Sequence, residues 1–114
     1  SLAILDNILT IEGYNVEHFD SANDAIRYIS FIENSKKKVD LFILDLIVPN
    51  IVGFKLLKKI REYNNFRNIP ILIVSSISDK RVVAQAAKYG VSGYILKPFN
   101  RIDVKRKVKS VIYQ

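Results

Sequence analysis

Three polar residues stand directly after apolar runs in this sequence: Asp45 after Leu41-Phe42-Ile43-Leu44, Ser75 after Ile71-Leu72-Ile73-Val74, and Lys97 after Tyr94-Ile95-Leu96. A charged or hydroxyl group at the end of a buried run must find a polar partner or water. If the runs are parallel strands, ligands bind beyond their carboxyl ends, and a carboxylate, a hydroxyl and an ammonium converge at one sheet edge. That set suits a pocket holding a doubly charged phosphate. Each residue also has a plain structural role open to it: Asp45 as a helix cap, Ser75 as a turn residue, Lys97 as a solvated cation. Three of them at successive strand ends are hard to ascribe to capping.

The elements that must position these residues alternate along the chain. Leu2, Leu5, Ile8, Leu9 and Ile11 recur near a helical period, and Gly13 supplies a stop. Val16 to Phe19 reads as a short strand. Ser21 with Asp24 resembles a capping box ahead of a stripe of Ala22, Ala25, Ile26, Ile29 and Ile32, and Lys36-Lys37-Lys38 reads as a solvated helix end. Residues 41–44 form a continuous apolar run that suits a strand buried on both faces. Phe54, Leu56, Leu57 and Ile60 mark a helix, and Ile69 to Val74 a second buried strand. Asp79 to Tyr89 carries Val82, Val83, Ala86 and Ala87 at helical spacing and stops at Gly90. Tyr94 to Leu96 is a last short strand. Asn100 caps a final helix with Ile102, Val104, Val108, Val111 and Ile112 inward or partly so. The predicted order αβαβαβαβα argues for a parallel sheet with helices on both faces.

Composition narrows the function classes. A chain of 114 residues holds one core, so residues 1–114 are expected to be one domain. Without cysteine, disulfides, thiolate chemistry and cysteine metal sites are excluded. No apolar run approaches the roughly 20 residues that span a bilayer, and no basic segment precedes Ser1 as in a signal peptide. A soluble cytoplasmic domain is the expectation. The net charge of +7 is uneven: Lys97, Arg101, Lys105, Arg106, Lys107 and Lys109 face Asp103 alone, which places +5 in the last 18 residues. No aromatic or Gly-rich nucleic-acid motif accompanies this charge, so a solvated helix face is expected and direct nucleic-acid binding is not.

The stretch Asp45-Leu46-Ile47-Val48-Pro49-Asn50-Ile51-Val52-Gly53 has Pro four positions and Gly eight positions after Asp45. Residues 69–76, Ile-Pro-Ile-Leu-Ile-Val-Ser-Ser, end a strand in hydroxyls, and residues 90–99, Gly-Val-Ser-Gly-Tyr-Ile-Leu-Lys-Pro-Phe, end one in Lys-Pro. In that order and spacing these motifs resemble the response-regulator receiver domain of two-component signalling, over essentially the whole chain. Val48 departs from the methionine usual before that proline.

The resemblance implies a three-layer, doubly wound parallel sheet of flavodoxin-like fold. It also implies a regulatory domain that takes part in its own phosphorylation. Asp45 is the implied phosphoacceptor, fed by a histidine kinase or phosphotransfer protein. Ser75 and Lys97 are implied to bind the phosphoryl group, and Ser75 with Tyr94 to form a switch that alters the surface of the last two helices and last strand. A cis Lys97-Pro98 bond is part of the likeness. Mg²⁺ is the implied cofactor, held by Asp45, the backbone carbonyl of Ile47 and an acidic pair after a first apolar strand. Neither that strand nor the pair is found here, since Asp6-Asn7 lies too close to Gly13 to serve. The reading is therefore of an N-terminally incomplete receiver with weakened or lost Mg²⁺ binding, against a divergent receiver without normal metal binding. A sheet missing its second-position strand is expected to pair its neighbours directly, to swap a strand in a homodimer, or to be marginally stable. Ile47 and Ile77 are apolar where the family varies access for water, so slow hydrolysis of an acyl phosphate is expected. An output domain or separate partner protein is the implied reader. A receiver-like module working by protein contact alone is the alternative. A haloacid-dehalogenase-like phosphatase fits less well, because Ile47 stands where it needs a second Asp.

Overall fold

Successive side chains of a strand point to opposite faces, so a strand apolar at every position needs a cover on both sides. The computed structural model, which describes residues 2–46, 51–76 and 80–113, supplies both covers. In chain order the elements are α1 (Leu2–Ile11), α2 (Ala22–Ile32), β1 (Phe42–Asp45), α3 (Ile51–Glu62), β2 (Ile71–Ser75), α4 (Lys80–Ala87), β3 (Gly93–Leu96) and α5 (Arg101–Ile112). The three strands are parallel in the order β1-β2-β3, with Asp45 beside Val74 and Ser75 beside Leu96. Central β2 is wholly buried. Ile71 and Ile73 join Ile29, Ile32, Phe54, Leu57 and Ile60 of α2 and α3 in one core. Leu72 and Val74 join Leu5, Leu9, Val104, Val108 and Val111 of α1 and α5 in the other. This is the expected three-layer α/β arrangement of flavodoxin-like type.

Local signals placed three of the helix ends. Ser21 Oγ accepts from the Asp24 N–H at 3.1 Å, and Asn100 Oδ1 from the Asp103 N–H at 2.8 Å. Each satisfies a donor that the first helical turn cannot. Gly13, past the end of α1, has φ +94°, a conformation that costs other residues about 1 kcal/mol or more.

Three expectations are corrected. Val16 to Phe19 is not a strand: residues 14–19 carry no regular secondary structure, and β1 has β2 as its strand neighbour. Extended backbone becomes a strand only where a neighbour completes the hydrogen-bond ladder, and no described strand lies beyond β1 to do so. Tyr14 and Val16 instead pack against the α1/α5 core, while Phe19 stacks on Tyr28 with centroids 4.9 Å apart. Ile11, which falls on the apolar period of α1, is 58% exposed, and Ile102, expected inward or partly so, is 65% exposed. The buried arc of α5 is already filled by Val104, Val108 and Val111, which leaves Ile102 on the far side. The start of the fourth helix at Asp79 lies outside the described residues.

Two side chains tie elements together in ways no periodicity signals. The Arg61 guanidinium donates to five carbonyls: Nε to Tyr89 at 2.7 Å, Nη1 to Phe66, Arg67 and Ile69 at 3.2, 3.0 and 2.7 Å, and Nη2 to Gly90 at 3.1 Å. Glu12, 12% exposed, accepts from Lys105 at 3.1 Å and Arg101 at 3.4 Å, joining the end of α1 to α5. The hydrogen bond from Lys105, ahead of the charges of Lys105 and Arg101, holds the Glu12 carboxyl below its ordinary value of 4.5. A carboxylate with a lowered folded-state pKa stabilises above its ordinary value, and that contribution fades as pH falls through the lowered one. In thermal melts run from about pH 6 down to pH 3, Glu12→Gln is therefore expected to lose less stability than the parent. Equal acid loss in both would show that the contact carries no pH-linked stability.

Candidate functional site

Parallel strands end on the same side of their sheet, so β1, β2 and β3 deliver their last residues to one edge. The ladder continues past the strands. The Leu46 N–H donates to the Val74 carbonyl at 2.8 Å, and the Lys97 N–H to the Ser75 carbonyl at 2.9 Å. Those bonds hold the backbone on the far side of Asp45 and beneath Lys97. Buried Leu44 and Leu46 flank Asp45 and anchor it between two core contacts.

From this edge Lys97 reaches across the end of β2, and its Nζ donates to Asp45 Oδ2 at 2.8 Å. The two side chains are 23% and 17% exposed, so water and a small ligand reach a pair whose field is only partly screened. Ser75, the last residue of the intervening strand, is buried at 4% exposure. Asp45 and Lys97 thus meet directly, with Ser75 at the end of the strand between them. The Lys97–Pro98 bond is cis.

Tyr94 lies half-buried in β3, packed against the α2/α3 core, and its hydroxyl donates to the Val83 carbonyl of α4 at 3.0 Å. Burial pushes its phenol above the ordinary tyrosine range. This bond is a mechanical link between the strand leading to Lys97 and α4. Ile47, whose carbonyl was an expected metal ligand, and Ile77 lie outside the described residues.

Among the described residues no group of three or more His, Asp or Glu side chains could hold a metal ion. Asp45 offers a single carboxylate, with Oδ2 already accepting from an ammonium. Mg²⁺ demands near-octahedral oxygen coordination, usually with one or two carboxylates beside its waters. Asp45 meets the lower end of that demand, and the Lys97 ammonium competes with a cation for its Oδ2.

Fold and site together define a flavodoxin-like α/β domain with a carboxylate–ammonium pair at the carboxyl edge of its parallel sheet. A family profile for the response regulator receiver domain matches residues 1–109. The two-component response regulator ARR3 of Arabidopsis thaliana is 31% identical over 109 residues, covering 90% of this chain and 47% of that protein. Chemotaxis protein CheY of Treponema pallidum is 32% identical over 108 residues, covering 95% of this chain and 72% of that one. The chain spans about half the length of the plant regulators it matches. In three dimensions it is similar to the receiver domain of sensor histidine kinase PA1611 from Pseudomonas aeruginosa, solved with magnesium in its active site cleft. That match has a TM-score of 0.81, 22% identity, and coverage of 98% of this chain and 88% of that one. The chain belongs to the response regulator receiver domain family.

Proposed function

We propose that this domain is a phosphoacceptor switch in which Asp45 takes a phosphoryl group from a phosphohistidine of a kinase or phosphotransfer protein. A carboxylate oxygen attacks phosphorus, the P–N bond breaks, and its electron pair returns to the imidazole. Lys97 neutralises charge on the transferred group, and the Ser75 hydroxyl donates to one of its oxygens. The contact of Lys97 Nζ with Asp45 Oδ2 carries this reading, because it puts a cation where the phosphoryl oxygens would develop charge. Once Lys97 is drawn to the phosphoryl group, β3 shifts its load on Tyr94, and the bond from Tyr94 to Val83 transmits the change to α4. The altered surface of α4, β3 and α5 is then read by an output domain or partner with different affinity for the two states.

Weak or absent Mg²⁺ binding belongs to this reading, since among the described residues no group of three or more metal-ligating side chains joins Asp45. It also favours one second reading, a receiver-like module that works by protein contact without phosphorylation.

Incubation with acetyl phosphate, with and without Mg²⁺, followed by intact-mass spectrometry separates the readings. The expected result is one phosphoryl adduct that maps to Asp45, is absent from Asp45→Asn, and responds little to Mg²⁺. An adduct that persists in Asp45→Asn would refute the assignment of the acceptor. If neither acetyl phosphate nor a phosphorylated kinase yields an adduct, the contact-only module stands instead.

A further inference from the structure

The outward face of a surface helix is normally where its charges sit. In α1 that face carries none. Leu5 and Leu9 are buried in the core shared with α5, and half-buried Ile8 packs beside them. Both carboxylates of this stretch are turned aside. Asp6 accepts from Thr10 Oγ1 at 2.9 Å and meets His18 Nδ1, while Glu12 is tied to Lys105 and Arg101. What remains exposed is Ala3, Ile4, Asn7, Thr10 and Ile11. Ile4, Asn7 and Ile11 are spaced i, i+3 and i+7, which places them on one line along the helix. Ile4 and Ile11 are each 58% exposed, on a chain that bears 18 basic and 11 acidic residues elsewhere or turned away. Single exposed apolar residues are ordinary, but a line with the 3–4 spacing of a coiled-coil seam and uncharged flanks is a contact surface.

We infer that this seam pairs with its own counterpart in a second copy of the chain, the two α1 helices packing antiparallel about a two-fold axis beside Asn7. The spacing selects the occupant. Ile4 and Ile11 lie about 10 Å apart along the helix, on either side of Asn7, so in an antiparallel pair Ile4 of each copy meets Ile11 of the other. The two Asn7 side chains then face each other near the axis. A carboxamide carries both donors and an acceptor, so such a pair satisfies itself and fixes register, as a central polar residue does in helix pairs. Antiparallel packing also sets the two helix dipoles head to tail. A charged partner would find no counter-charge on the seam, and a nucleic-acid backbone would find no cation. One helix pair buries less than the roughly 1,200 Å² of a standard stable interface, so the dimer is weak, with a Kd on the order of 100 µM. Each copy carries +7, and repulsion between copies adds to that weakness until salt screens it.

The test uses the unphosphorylated chain, so its outcome is independent of the proposed chemistry at Asp45. Since the sequence has no cysteine, Asn7→Cys introduces a lone thiol at the axis. With dissolved oxygen as oxidant and copper phenanthroline as catalyst, it is expected to form a disulfide-linked dimer about tenfold faster than Asn23→Cys, an exposed position on α2. Sedimentation velocity of the parent should show a coefficient that rises between about 10 µM and about 1 mM, and rises further with added salt. Ile4→Glu and Ile11→Glu each put a carboxylate into the seam, and either is expected to weaken association about tenfold. All the substituted side chains are exposed, and unchanged melting temperatures establish that the variants are folded. Equal cross-linking of the two cysteines, or association unaffected by either glutamate, would overturn the inference. So would a dimer that weakens with salt, because it would reveal charge pairing elsewhere on the surface. Shifts of the α1 amide signals on adding an unrelated leucine-rich helical peptide, with none on concentrating the protein alone, would give the seam to another protein and overturn it as well.

Discussion

Lys97→Met is expected to destabilise the domain by about 1–3 kcal/mol and, if Asp45 is the acceptor, to slow its phosphorylation by acetyl phosphate roughly a hundredfold. Methionine keeps most of the stem and removes only the ammonium, so packing changes little. The loss follows from the environment of the pair. Asp45 is 17% exposed, and without Lys97 its Oδ2 gives up a charge-assisted bond of 2.8 Å in a site that water compensates only in part. In the transferred state the deficit grows, because a doubly charged phosphoryl group replaces a single carboxylate. A double-mutant cycle with Asp45→Asn measures the pairwise contribution in urea titrations, with a coupling of about 1–3 kcal/mol expected. Strict additivity of the two substitutions would show that the contact is energetically idle, whatever its geometry.

The largest effect on stability is expected from Arg61→Ala, about 3–4 kcal/mol, a substantial share of the 5–15 kcal/mol that holds a domain together. Five carbonyls from two separate segments, residues 66–69 before β2 and residues 89–90 before β3, are satisfied by one planar cation. Alanine leaves half-buried acceptors such as Ile69 and Tyr89 to whatever water can enter, and unties the turns from which both strands start. Burial pushes the guanidinium below its ordinary value, which reflects how far it is drawn from solvent. Lysine is a poor replacement: a compact ammonium with three donors cannot reproduce a fork that serves both segments. Arg61→Lys should therefore recover less than half of the loss in denaturant titrations. Amides near Tyr89 and Gly90 should exchange faster in Arg61→Ala. A loss below about 1 kcal/mol would mean the carbonyls find other donors without strain.

Much of the architecture was legible because its signals are local. Ser21 and Asn100 announce helix starts by the side-chain oxygen each offers, and Gly13 and Gly90 announce stops through the positive φ each adopts. Apolar runs at residues 41–44 and 71–74 showed strands covered on both faces, and the alternation of elements made the sheet parallel. From that alone Asp45, Ser75 and Lys97 had to reach one edge. Their residue types and order therefore pointed to the candidate site before any distance was known.

Other features depend on neighbours that are remote in sequence. Val16 to Phe19 has the composition of a strand, but strand pairing is settled by whatever lies alongside, and none of the described strands does. Ile102 matches a helical stripe by period, yet Val104, Val108 and Val111 leave no room for it against the core. Arg61 reads as one more cation in Lys58-Lys59-Ile60-Arg61, and Glu12 as one more solvated acid; their partners are carbonyls and cations brought up by other segments.

By itself, then, the sequence determined which residues stand at the strand ends and which chemistry they can offer, since period, caps and residue type act within a few positions of one another. Tertiary structure alone decided that Lys97 touches Asp45, that Tyr94 holds α4, and that Ile102 of α5 faces outward. Those outcomes depend on distances between segments that only the packing of both cores against β2 sets.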